Sequence, residues 1–137
     1  MPQPIEYRWR GPVTDAEMVA LVRSHGGQAA AGWWDQVRPY SLGWVTARLR
    51  DGSLTGFVNV AWDGGDHAFL LDTKVAGEHQ RQGIATALAR HAAWHAKAAG
   101  CEWLHVDFED HLAAFYFDAC GFRPTSAGLI RLPALSG

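Results

Sequence analysis

The feature that most constrains this chain is the stretch Val75 to Ala85, Val-Ala-Gly-Glu-His-Gln-Arg-Gln-Gly-Ile-Ala. It joins the apolar run Phe69-Leu70-Leu71, suited to a buried strand, to a segment with helical spacing that begins at Ile84. A strand-to-helix junction leaves the first amides of the helix without intrahelical partners, at the end where the macrodipole is positive. Gly83 and Ala85 keep the backbone approachable, Arg81 adds a full charge and Thr86 a hydroxyl. The loop therefore suits an anion such as a pyrophosphate. It has neither the Gly-Lys-Ser/Thr of a P-loop nor the three spaced glycines of a dinucleotide fingerprint.

Strands and helices are predicted on both sides of the junction. Ile5 to Trp9 alternates as an edge strand does, and Gly11-Pro12 stops it. Thr14 with Glu17 three residues on is a capping box for a helix striped by Met18, Leu21 and Val22 and ended by His25-Gly26-Gly27. Residues Gln28 to Val37 read as a second short helix or a loop. Trp44–Arg50 and Leu54–Trp62 form a hairpin around Asp51-Gly52, and Asp63 to Asp66 turns into a third antiparallel strand, His67 to Val75.

Beyond the junction, the helix from Ile84 is read with Leu88, His91, His95 and Ala98 on one face and is closed by Gly100. His91 and His95 lie one turn apart, but residue 92 is Ala where a metalloprotease helix carries Glu, so no metal is assigned to them. Cys101 to Phe108 reads as a strand, His111 to Cys120 as a helix capped by Asp110 and ended by Gly121. A last hairpin is expected to pair Phe122–Thr125 with Leu129–Leu132.

Composition sets the outer bounds. A chain of 137 residues with 48% hydrophobic content has material for one compact core, so residues 1–137 are expected to form one domain. A formal charge of −2 without any basic run gives no footprint for nucleic acid. No apolar stretch has the length of a membrane span, and the start at Met1-Pro-Gln-Pro lacks the pattern of a signal peptide, so a cytoplasmic location is expected. Cys101 and Cys120 have neither redox-pair nor zinc-site spacing and read as reduced thiols. Of seven tryptophans, an exposed one would mark a homodimer surface.

Gln80-x-x-Gly83-x-Ala85 matches the pyrophosphate signature of the GCN5-related N-acetyltransferases (Arg or Gln, two residues, Gly, one residue, Gly or Ala), and the order from about Phe69 to Leu132, ending in Cys120-Gly121-Phe122, resembles that family's core. The resemblance implies an α+β fold with a mixed, mostly antiparallel, splayed sheet flanked by helices. It implies acetyl-CoA as co-substrate, its pantetheine arm held by backbone groups of Thr73, Lys74 and Val75. Its pyrophosphate would be held at Gln80, Arg81, Gln82, Gly83, Ile84, Ala85 and Thr86.

The activity implied is acetyl transfer to a primary amine of a small molecule or peptide. The family's thiolate-protonating tyrosine lies four residues before the glycine, a place held by Phe117, with Tyr116 one position off. Either a one-residue irregularity brings Tyr116 to the sulfur, or Tyr116 is a packing residue and water serves. Asp72 is the first choice of base among Asp72, Asp107, Glu109 and His111. Asp110 or His111 stands where the family often has a cofactor-binding Asn.

Trp33, Trp34, Asp35, Tyr40 and Glu109 are candidate acceptor contacts, although the two tryptophans suit the core equally. The acidic residues favour a cationic acceptor. The displaced tyrosine keeps open an alternative function, a non-catalytic acyl-CoA-binding regulatory module of the same fold.

Overall fold

The computed structural model describes residues 4–137, so a leader reading at residues 1–3 lies outside them. Five strands form one sheet in the order β1-β2-β3-β4-β5. They are β1 (Ile5–Trp9), β2 (Ser41–Leu49), β3 (Leu54–Trp62), β4 (His67–Val75) and β5 (Trp103–His105). Pairing is antiparallel from β1 through β4, and β5 joins β4 in parallel. Helices cover both faces: α1 (Asp15–Ser24) and α2 (Trp33–Val37) one, α3 (Ile84–Ala98) the other. The mixed, mostly antiparallel sheet expected from the sequence is the one observed.

Helix α1 begins as its sequence dictates. The Thr14 hydroxyl accepts from the Glu17 amide at 3.1 Å while the Glu17 carboxylate accepts from the Thr14 amide at 3.1 Å. Arg48 of β2 then grips the same carboxylate through both guanidinium nitrogens, at 2.6 and 3.0 Å, and so ties the helix start to the sheet. Met18 and Leu21 bury against Trp34 and Phe57 to form the smaller core. Only Trp33–Val37 of the doubtful segment 28–37 is helical, because Gly32 enters it left-handed with φ of 87°.

The larger core lies between α3 and the sheet. At Gly56 the helix comes so close that a Cβ would lie 3.0 Å from Ile84 Cγ2 and 3.1 Å from Leu88 Cδ1. The buried face of α3 is Ile84, Leu88, Ala89, Ala92 and Ala96, which corrects the predicted face. His91 and Ala98 are exposed. The small alanines bring the helix down on the sheet, and the two histidines fall at its margin, stacked on β1: His91 on Tyr7 with centroids 5.0 Å apart, His95 on Trp9 at 4.5 Å.

The C-terminal third departs most from its sequence reading. Strand β5 covers only Trp103–His105 of the expected 101–108 run, although Leu104, Val106 and Phe108 still pack inward. Asp110 caps nothing; it opens a 3-10 turn, Asp110–Leu112, that leads into a π-helix, Ala114–Ala119. The last hairpin is absent, and residues 122–131 form no strand. Pro124 removes an amide donor from the first expected run, and the second leaves Leu129, Ile130 and Leu132 at least 70% exposed, so neither run gains a buried face.

Candidate active site

The parallel pairing of β4 with β5 runs from His67 opposite Trp103 to Phe69 opposite His105 and then stops. Strand β4 continues to Val75 with no partner on that side, so a gap opens beside Leu70 to Val75. Its unpaired backbone groups are available to a ligand in extended conformation. On the other side β4 stays paired with β3, but the register shifts between Phe57 opposite Lys74 and Asn59 opposite Leu71. The extra residue on β4 is a bulge, and Asp72 within it has φ of 60°. A non-glycine residue held left-handed is costly, and such conformations cluster at functional sites.

The gap leads directly into the loop that joins β4 to α3. Ala76 is tied to β3 by its amide, which donates to the Thr55 carbonyl at 2.8 Å. Gly77 packs against the end of α1, where a Cβ would lie 2.6 Å from the Ser24 carbonyl oxygen. The Gln80 side chain donates back to the Val75 carbonyl at 3.4 Å, bracing the loop across its base. Arg81 and Gly83 are both left-handed, with φ of 65° and 80°, and Gly83 is the N-cap of α3 without any side-chain cap. The first amides of a 15-residue helix are thus presented at an exposed glycine corner with open space around it. Arg81 and Gln82 are exposed there, Ala85 and Thr86 half-buried; the Ile84 side chain is in the core, so this residue offers its amide alone.

Tyr116 faces the gap from the opposite side. The amide of Cys120 donates to the Phe115 carbonyl five residues earlier at 3.0 Å, the π-helical pattern, which inserts one residue before Gly121. Tyr116 is buried by this geometry and stacks on Phe108 with centroids 4.6 Å apart and planes at 21°. Burial pushes its phenol above the ordinary range, an effect that a side-chain hydrogen bond with Thr73 of β4 opposes. The phenol therefore stands protonated beside the strand edge that flanks the gap.

The remaining candidates are dispersed. Asp72 is half-buried at the bulge, while Asp107 and Glu109 are exposed, Glu109 lying 3.5 Å from His111. Trp34 is 0% exposed and packs edge-on against Trp44 and Phe57. This corrects its assignment to the acceptor: a core tryptophan has no surface to offer. Trp33 remains half-buried, and Asp35 and Tyr40 are exposed.

Two groups escaped the sequence reading. Lys74, considered only for its backbone, places its ammonium 5.1 Å from the Trp33 ring centroid. Asn59 is fully buried opposite Leu71; its side-chain carbonyl accepts from Ser41 Oγ at 2.6 Å, and its amide nitrogen has no partner among the described residues. Each is a polar residue inside an alternating strand, and that is the signal that marks them.

Residues 9–122 match a family model described as the acetyltransferase (GNAT) family. No functionally curated sequence matches the chain. Among solved structures, a GNAT family acetyltransferase from Streptococcus pneumoniae is similar at 21% identity and TM-score 0.77, over 93% of this chain and 96% of that one. A probable acetyltransferase from Staphylococcus aureus is similar at 24% identity and TM-score 0.75, over 93% and 98%. A GNAT family N-acetyltransferase from Escherichia coli, solved in complex with CoA, shares 16% identity at TM-score 0.74, over 90% of this chain and 71% of that one.

Proposed function

This chain belongs to the acetyltransferase (GNAT) family, and on that premise we propose that it transfers an acetyl group from acetyl-CoA to a primary amine of a small molecule or peptide, by direct attack in a ternary complex. The observation that carries the reading is a continuous path: the unpaired edge of β4 runs straight into the left-handed corner at Arg81 and Gly83, with the Tyr116 phenol standing beside Thr73.

Acyl transfer to an amine needs, among other things, an oriented thioester, a proton for the leaving thiolate and a base for the ammonium, and this chain has a group for each of these three. Backbone groups of Thr73, Lys74 and Val75 hold the pantetheine arm and orient the thioester, while the amides of Ile84, Ala85 and Thr86 with Arg81 neutralise the pyrophosphate. Tyr116, kept protonated by burial, donates to the departing thiolate. Asp72, exposed enough to reach water at the bulge, takes the proton the ammonium must lose, directly or through that water. The free thiols Cys101 and Cys120 suit a reducing setting, the cytoplasm.

A silent acyl-CoA-binding module draws its support from the misplaced tyrosine. The π-helix takes up that one-residue offset, which supports the catalytic reading instead. The test is isothermal titration with acetyl-CoA, desulfo-CoA and ADP, followed by an amine screen read by thiol release. Saturable binding of acetyl-CoA with turnover of at least one amine is the expected result; absence of acetyl-CoA binding would overturn the assignment.

A further inference from the structure

The chain holds only two lysines, Lys74 and Lys97, and they occupy opposite environments. Lys97 lies exposed in the last turn of α3. Lys74 lies on β4 opposite Phe57, so its side chain projects from the α1/α2 face of the sheet, where the smaller core is. Its ammonium folds back along the strand, donating to the Asp72 carbonyl at 3.5 Å, with the Trp33 ring over it. Among the described residues it forms no ion pair with a carboxylate. A half-buried amine is thus held at the bulge, within the three residues whose backbone is assigned to the thioester.

We infer that Lys74 is itself an acetyl acceptor, and that this chain, loaded with acetyl-CoA, modifies its own acyl site. The inference rests on the acetyl-CoA reading above. The neutral Nζ attacks the thioester carbonyl, the new C–N bond forms, the C–S bond breaks, and the proton shed by the nitrogen passes to the sulfur. The products are Nε-acetyl-Lys74 and CoA with a free thiol, so no further reactant is required. Two features favour the step. Proximity makes it effectively unimolecular. Burial lowers the Lys74 pKa, an effect that the nearby Asp72 charge opposes, and this enlarges the fraction of reactive neutral amine. The product loses the cation beneath Trp33, so self-acetylation alters the acceptor side of the cleft.

Lys97 is the internal control. The wild-type chain is incubated with acetyl-CoA, its intact mass followed, and each lysine's modification quantified in peptides, with acetyl-CoA binding measured on the same sample. The expected result is one acetyl group at Lys74, gained at least about tenfold faster than at Lys97, as attack from within the bound complex already provides, and suppressed by excess desulfo-CoA. Equal rates at the two lysines, or an unmodified Lys74 in a chain that binds acetyl-CoA, overturn the inference while leaving the function intact. Failure to bind acetyl-CoA overturns both. In Lys74→Arg the remaining acetylation should fall to the slow rate of Lys97; a variant that still gains a fast acetyl group overturns the inference.

Discussion

The Cys120 amide bonds to the Phe115 carbonyl, not to the carbonyl of Tyr116 as an α-helical turn would require. That displaced bond belongs to the π-helix Ala114–Ala119, in which the tyrosine ring lies inward, against Phe108 and beside Thr73. A phenol so placed serves as an acid only if it keeps its proton.

Tyr116→Phe should therefore lower kcat by about 100-fold, the lower end of general-acid contributions, while acetyl-CoA affinity measured by titration changes little. Because burial raises the Tyr116 pKa, the wild-type rate should hold through neutral pH and fall only above the ordinary phenol value of 10.0. That alkaline limb should be missing from the variant's pH profile. A variant with unchanged kcat would assign the proton to water.

Gly83→Glu should abolish acetyl-CoA binding in a titration. The substitution meets no steric neighbour, since nothing lies within 4 Å of a Cβ there. Its effect comes from a backbone φ of 80° that suits glycine and from a carboxylate placed at the helix N-terminus proposed to hold the pyrophosphate. Gly83→Ala, which adds strain without charge, should weaken binding less. Unchanged affinity in the glutamate variant would remove the pyrophosphate from this loop.

Much of this was legible in the residues, for identifiable reasons. The capping box at Thr14, the Asp51-Gly52 turn and the Gly83 corner are each local, so their chemistry survives any tertiary context. The face of α3 was misread because alanine carries little hydrophobic signal, and three alanines, not the histidines, touch the sheet. The end of β5 and the missing hairpin depend on partner strands, which no local pattern reports. Trp34 and Trp33 are adjacent and chemically identical; only the packing of α2 on Phe57 distinguishes core from cleft.

Stability should fall with acid in two separate steps. His95 is held below its ordinary value of 6.5 by burial, with His91 and Arg10 adding to the shift, so its contribution is complete above that value and declines as pH drops through it. Glu17 is held below its ordinary 4.5 chiefly by its hydrogen bond from Arg48, so its contribution persists to that pH and is lost below it. Arg48→Ala should cost about 1.5–3 kcal/mol at pH 7, the range for hydrogen bonds to charged groups, and flatten the lower step alone. Urea titrations across pH measure both; an unaltered lower step would detach Glu17 from the acid response.

Gly43→Ala should destabilise the fold by about 1–3 kcal/mol, the usual cost of overpacking. The new methyl would lie 2.1 Å from Trp9 Cζ2, so the indole must leave its place over β2 and with it the stack on His95. Urea unfolding of the variant gives the cost directly, and a loss within experimental error would show that Trp9 yields freely.

The three residue pairs between β4 and β5 also set an order of assembly. Strands β2, β3 and β4 follow one another through short turns, but β5 reaches β4 only after the whole of α3 has been laid across the sheet. Contacts that close a long crossover are made late, and so short a parallel pairing gives little return until Leu104 and Phe108 pack against the rest. A nascent chain therefore acquires the glycine corner at Gly83 before it acquires β5 beside the gap. During that interval the edge of β4 is bare along its full length, which makes it the point at which misassembly competes with folding.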